Sequence, residues 1–222
     1  MCKGKTIALV VLAFGACFPA LSAAAMLDQQ YLPRIDLGAR ISEGFRYIAQ
    51  TVTAGQQGYL TEADLGVFLS GTANDAWEVT VQGCTNGVPN GNVLVVQDLP
   101  ASAAGTFGSS SEVPMQVVFS SPAFFNAGDQ FALVIQAPSA TPGAGHTVGI
   151  WDGAFDQPYP GGLAYQSNDD KNFAYIGAKP NYALAFETFV SVPEPAPATY
   201  MALALAALTC RRTRLASRRV GI

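Results

Sequence analysis

The turn Asn126-Ala127-Gly128-Asp129 and the run it opens, Gln130-Phe131-Ala132-Leu133-Val134-Ile135-Gln136, decide the fold class of this chain. A short stretch rich in β-branched and aromatic side chains, entered through turn residues, reads as a strand. The same rhythm extends in both directions. Upstream, Phe45 to Thr53 is β-prone, and Tyr59 to Leu69 sets Leu65, Val67 and Leu69 on one strand face. Trp77-Glu78-Val79-Thr80-Val81-Gln82 alternates, and Val93 to Leu99 is entered through Asn90-Gly91-Asn92, whose glycine can take a positive φ. Pro114 to Phe119 follows. Downstream, Thr147–Trp151, Gly162–Gln166, Phe173–Ile176 and Ala183–Val190 complete the set. The spacing predicts about nine or ten strands, no amphipathic helix, and an all-β sandwich or barrel between residues 26 and 190. Met26 to Arg40 is ambiguous and is read as a loose N-terminal arm.

The order of these pieces is Ala49–Gly55, Gly58-Tyr59-Leu60, Gly91–Leu94, Ala127–Val134 and Leu184–Phe189. It resembles a bacterial extracellular jelly-roll module found beside surface-anchoring signals. That resemblance implies a β-sandwich like those of carbohydrate-binding modules and fixes no ligand, because fold alone does not assign function.

Charged residues make up 13% of the 222-residue chain, about half the roughly 25% of ordinary soluble domains. Part of the deficit sits at the ends. Lys3 and Lys5 precede the uncharged apolar run Thr6 to Phe18, and Ser22-Ala23-Ala24-Ala25 follows. This is the order of a secretory signal, residues 1–25, with Ala23 and Ala25 at the small positions before a cut that leaves Met26 first. A permanent anchor is the alternative, but the run is short for a bilayer span.

At the other end, Ser191-Val192-Pro193-Glu194-Pro195-Ala196-Pro197 is followed by the apolar stretch Ala198 to Cys210. Arg211, Arg212, Arg214, Arg218 and Arg219 come next. Prolines hold the joint extended, the Ala/Leu run favours a helix apolar all round, and the arginines stop transfer on the cytoplasmic side. The three parts in this order resemble the PEP-CTERM sorting signal, here residues 191–222. The resemblance implies recognition of Val192, Pro193, Glu194 and Pro195 by an exosortase, a membrane-embedded cysteine protease-transpeptidase of exopolysaccharide-making bacteria. Two departures stand out. This stretch of thirteen residues makes about 20 Å of helix against a hydrocarbon core of ~30 Å, so snorkelling arginines or bilayer thinning must cover the difference. The chain also continues for eight residues past Arg214, where tails of this family often stop soon after the arginines. An uncut tail anchor is the competing reading of the same segment.

Between these ends the charge is lopsided, with five basic residues against fifteen acidic ones over 26–192, a formal charge of −10. Such a surface repels phosphate backbones, which excludes nucleic acid as the expected partner, and it suits divalent cations or neutral glycans. Of the four cysteines only Cys84 lies outside the terminal segments, so no internal disulfide is expected in the processed protein.

Chemistry is sparse. His146 is the one histidine, too few for a zinc site with Cys84, and no Gly-x-Ser-x-Gly, His-Glu-x-x-His or P-loop motif is present. No catalytic residue is assigned, and no enzyme activity is expected. A hydrolase with paired carboxylates is the alternative, which acidic side chains 5–10 Å apart in one cleft would favour. No resident cofactor is expected beyond Ca²⁺, for which Asn168, Asp169 and Asp170 supply hard oxygens, with an Asn/Asp turn as the plainer reading. Trp151, Tyr159 and Tyr165, beside a Gly/Pro-rich stretch, are the candidate glycan contacts, with core packing as the plainer reading. The chain therefore reads as an exported bacterial protein. It is held transiently at the inner membrane by its C-terminal helix, handed to an exosortase and delivered to the cell surface or matrix, where polysaccharide is the expected partner.

Overall fold

A computed structural model describes residues 24–33, 37–41, 46–69, 76–106, 114–136, 149–176 and 181–193. The described residues hold fifteen strands, one 3₁₀ turn at Ala101–Ala103 and no α-helix. In chain order the first strands are β1 (Met26–Tyr31), β2 (Leu37–Ile41), β3 (Tyr47–Thr53), β4 (Gly58–Leu65) and β5 (Val67–Leu69). Next come β6 (Trp77–Thr85), β7 (Val88–Leu99), β8 (Gly105–Thr106), β9 (Met115–Phe125) and β10 (Gln130–Gln136). The last are β11 (Gly149–Ala154), β12 (Ala164–Ser167), β13 (Ala174–Tyr175), β14 (Ala183–Leu184) and β15 (Phe186–Ser191).

One sheet runs β1-β15-β4-β9 and a second runs β13-β12-β3-β10-β6-β7. A third, β14-β11-β5-β8, carries β2 on β11. All pairings are antiparallel except β5 with β8. The all-β expectation holds, in a β-sandwich-like arrangement. Inward side chains of all three sheets share one core, among them Ile48 and Val52 of β3, Leu60 and Leu65 of β4, Val79 and Val81 of β6, and Trp151 of β11. Antiparallel sheets with one buried face produce this alternation of core and solvent residues. A buried polar link crosses that core, where Gln50 of β3 accepts from the Leu184 amide (2.8 Å) and donates to the Thr51 carbonyl (2.9 Å). Both ends of the amide are thereby satisfied without water.

Three expectations are corrected. Met26 to Arg40 is no loose arm: β1 lies along β15, with Met26 opposite Val190, and β2 lies along β11. Nine or ten strands is too few, because long runs are divided where strands diverge. β4 and β15 pair as far as Leu65 and Phe186, then part at Gly66 and Ala185 so that β11 wedges between their continuations. There the Gly66 amide donates to the Ala185 carbonyl, the Ala185 amide to the Asp152 carbonyl, and the Asp152 amide to the Gly66 carbonyl. Finally, the turn between β6 and β7 is Asn86-Gly87, both with positive φ, while Asn90-Gly91-Asn92 lies inside β7 at an irregularity in its pairing with β6. Two consecutive positive-φ residues match the twist of a tight hairpin, so Asn-Gly is favoured there.

No helix among the described residues is long and apolar enough to cross a membrane. The signal segment up to residue 23, His146, Glu194, Pro195, the apolar stretch and the five arginines lie outside the described residues.

Candidate functional site

Strands β3 and β10 are buried on both faces along most of their length, unlike the alternating β9. Their inner face belongs to the core. Their outer face holds a second apolar cluster, Ala49, Ala132, Val134 and Tyr165, with Phe173 and Leu163 packed on it. Two chain segments cover it. The first is the loop between β12 and β13, where the Gln82 side-chain amide donates to the Asp170 carboxylate (2.6 Å), reaching across β3 and β10 to β6. The second is Pro160–Leu163, stitched to β3 by reciprocal bonds: the Thr51 amide to the Leu163 carbonyl, and the Leu163 amide to Thr51 Oγ1 (2.9 Å each). The Thr53 hydroxyl donates to the Gly161 carbonyl at 2.7 Å. Gly162 makes this approach possible, since a Cβ there would lie 1.9 Å from the Thr51 carbonyl oxygen.

Beside these segments lies a groove of about 390 Å³. Its floor is Thr51, Thr53 and Gln130, one wall is Gly161 to Leu163, and the Asn86-Gly87 turn and the Tyr165/Tyr175 pair close it. The two tyrosine rings stack with centroids 5.0 Å apart and planes 29° apart. Tyr165 is buried, while Tyr175 is 45% exposed. Burial, and then its hydrogen bond with Tyr175, push the Tyr165 hydroxyl well above the usual phenol range.

The residues singled out in the sequence fall into different settings. Trp151 is wholly buried with its indole N–H donating to the Ala185 carbonyl (2.8 Å), so it is a core residue at the strand divergence. The expectation that it stacks on a sugar is corrected, because no ring face reaches solvent. Tyr159 is also buried, edge-on to Phe186, its hydroxyl donating to the Gln29 side chain (2.9 Å) and pushed up to about 12, mainly by burial. Tyr159 and Tyr165 both reach the groove lining, Trp151 does not, and the exposed ring there is Tyr175. Sequence reading misses Tyr175 because a lone aromatic in a two-residue strand has no periodicity. Its cross-strand register with Tyr165 appears only once β12 and β13 pair.

Asn168, Asp169 and Asp170, the residues expected for Ca²⁺, lie in the loop after β12, where their contacts are those of the plainer Asn/Asp turn. Asp169 accepts from the Ser167 hydroxyl, the Lys171 and Asn172 amides and the Asn172 side chain. These bonds, led by those from Asn172, hold its carboxyl far below the usual range. Asp170 is turned onto Gln82 with a φ of 64°. The acids stabilise a turn, the behaviour that Asn and Asp show when they bond their own backbone. Among the described residues no group of three His, Cys, Asp or Glu is arranged to hold a metal ion.

Carboxylates gather elsewhere. Asp64 of β4 sits opposite Glu187 of β15, with Glu62 two residues away on the same outer face. Burial, then Glu62 and Glu187, raise the Asp64 carboxyl to about 6. This row lies on a sheet face, and neither the groove above nor a second one beside the Ser167–Asn172 loop includes it. Cys84 is half-buried against the second cluster, and burial pushes its thiol up to about 12, which keeps it protonated and unreactive near neutral pH.

No protein-family model matches the chain, and no curated protein matches it.

Proposed function

We propose that this chain is an exported bacterial protein, sorted through its C-terminal segment by an exosortase and delivered to the cell surface or extracellular matrix. Its body is a non-catalytic jelly roll that contacts glycan. The groove carries the glycan reading, because it joins an exposed aromatic ring to side-chain amides, with no Asp, Glu, His, Cys, Lys or Arg among its lining residues.

The jelly-roll reading is supported by the pairing pattern. β1 with β15, β3 with β10, β4 with β9, and β6 with β7 form one nested antiparallel ribbon. Wrapping such a ribbon yields two facing sheets ordered β1-β15-β4-β9 and β3-β10-β6-β7, and both orders occur here. β12 and β13 extend the second sheet at its β3 edge.

The sorting reading draws support from where the strands stop. β1 starts at Met26, the residue left first by signal removal, and β15 ends at Ser191 with Val192 and Pro193 exposed after it. Cuts at both places spare every strand pair of the domain. The test is to follow the protein in exosortase-bearing cells with and without Glu194→Ala. The expected product has lost its terminal arginines and left the membrane fraction, and the substitution holds the full-length form in the membrane. A wild-type protein that keeps its arginines and stays membrane-bound would instead make the tail a permanent anchor.

A further inference from the structure

The groove has a lining specific enough to name a ligand class, an inference that rests on the glycan-contact reading above. Its hydroxyls are spoken for: Thr53 donates to Gly161, and Thr51 is engaged twice with Leu163. Among the described residues the side-chain amides of Asn86 and Gln130 are in no hydrogen bond. A carboxamide offers a donor and an acceptor side by side, which complements a pair of neighbouring hydroxyls. Tyr175 stacks on Tyr165 and keeps 45% of its surface exposed. An aromatic face with its negative quadrupole attracts polarised C–H groups, and the flat C–H face of a pyranose ring presents a row of them.

Charge narrows the class. The lining contains no Asp, Glu, His, Lys, Arg or Cys. A uronate carboxylate entering the groove would lose water without meeting a cation, and an aminosugar ammonium would find no carboxylate. The −10 charge of the body opposes polyanions at longer range as well.

We propose that the groove binds an uncharged hexopyranose unit of an extracellular polysaccharide, stacked on Tyr175 and held by the Gln130 and Asn86 amides. The interaction needs no metal ion.

The experiment uses the full chain in a detergent that lacks a sugar headgroup, with the melting temperature of each variant as the control for folding. Calorimetric titrations compare neutral gluco-, manno- and galacto-oligosaccharides with oligogalacturonate and with chitosan oligomers, each in chelator. A parallel arm measures retention on exopolysaccharide from the host. The expected result is saturable binding to a neutral series, weakened roughly tenfold by Tyr175→Ala. Gln130→Ala weakens it too, and Tyr175→Phe leaves most of it. Binding only to the charged oligomers, or neutral binding untouched by Tyr175→Ala and Gln130→Ala, overturns the assignment even when exopolysaccharide is retained. Loss of retention on exopolysaccharide in the wild-type chain, together with silence in every titration, overturns the assignment and the glycan-contact reading with it.

Discussion

The two broad sheets present very different outer faces. On the four-stranded sheet, β9 alternates buried and exposed side chains, and its neighbours carry Glu62, Asp64 and Glu187 toward solvent. On the six-stranded sheet, β3 and β10 are buried on both sides, because Pro160–Leu163 and the Asp170 loop fold back over them. Strand chemistry alone does not create this contrast. Small residues, Ala49 and Ala132, leave room for a covering layer, and a polar stitch at each covering segment keeps it in place. A sheet face becomes a groove where something folds over part of it and stops short of the rest.

The largest effect expected from breaking this contrast is at Gly162. Gly162→Ala drives a methyl against the Thr51 carbonyl, so the wall must lift from β3. The expected loss is about 3 kcal/mol in a urea denaturation, with loss of ligand binding at the groove. Retention of wild-type stability would show that the wall is not anchored as described.

Next comes Gln82→Ala, which removes the donor to Asp170. About 1–3 kcal/mol should be lost, and backbone amides of β3 and β10 should exchange faster with deuterium than those of β4 and β15. Equal acceleration in both sheets would erase the distinction between a covered and an open face.

The open face should respond to pH in the opposite sense from a stabilising salt bridge. The Asp64 carboxyl is raised in the folded state, so the folded protein binds this proton more tightly than the unfolded chain does. Stability from this group therefore falls as pH rises from about 4 to about 6 and stays low above that. Asp64→Asn should stabilise the protein above pH 6 by on the order of 1 kcal/mol, after discounting for solvent screening. The advantage should vanish below pH 4 in paired thermal melts. A benefit that persisted there would point to packing in place of charge.

The smallest effect belongs to Val118, exposed on β9. Val118→Thr should change stability by less than about 0.5 kcal/mol, whereas the equivalent exchange at Val134, in the covered cluster, should cost about 1–2 kcal/mol by burying a hydroxyl. Equal costs in chemical denaturation would mean that the two faces are covered alike.

Much of the fold is legible in local chemistry. Gln130–Gln136 and the alternation from Trp77 to Gln82 are strands because β-branched and aromatic side chains suit a pleated surface. The hairpin at Asn86-Gly87 is not singled out by local chemistry, because the neighbouring Asn90-Gly91-Asn92 offers an equally inviting glycine. Only pairing with β6 distinguishes a turn from an irregular strand. The split at Gly66 and Ala185 is hidden, because the cause is β11, more than eighty residues beyond Gly66. The site is less legible still. A buried core tryptophan and an exposed aromatic have the same local signature, so the sequence points to Trp151, which is buried, and passes over Tyr175, which is exposed.

By itself the sequence determined most of the strand-forming segments, the presence of one cysteine between residues 26 and 190, the excess of acid over base there, and an apolar stretch beside basic residues near each terminus. Those properties are written in side-chain type and spacing, which act over a few residues. The tertiary structure alone decided which sheet face would be covered, that Asp169 would bond within its own loop and Asp170 to Gln82, and that Tyr175 would be the exposed ring. All but the Asp169 bonds depend on contacts between segments far apart in the chain, and only packing determines which of two equally suitable side chains keeps its water.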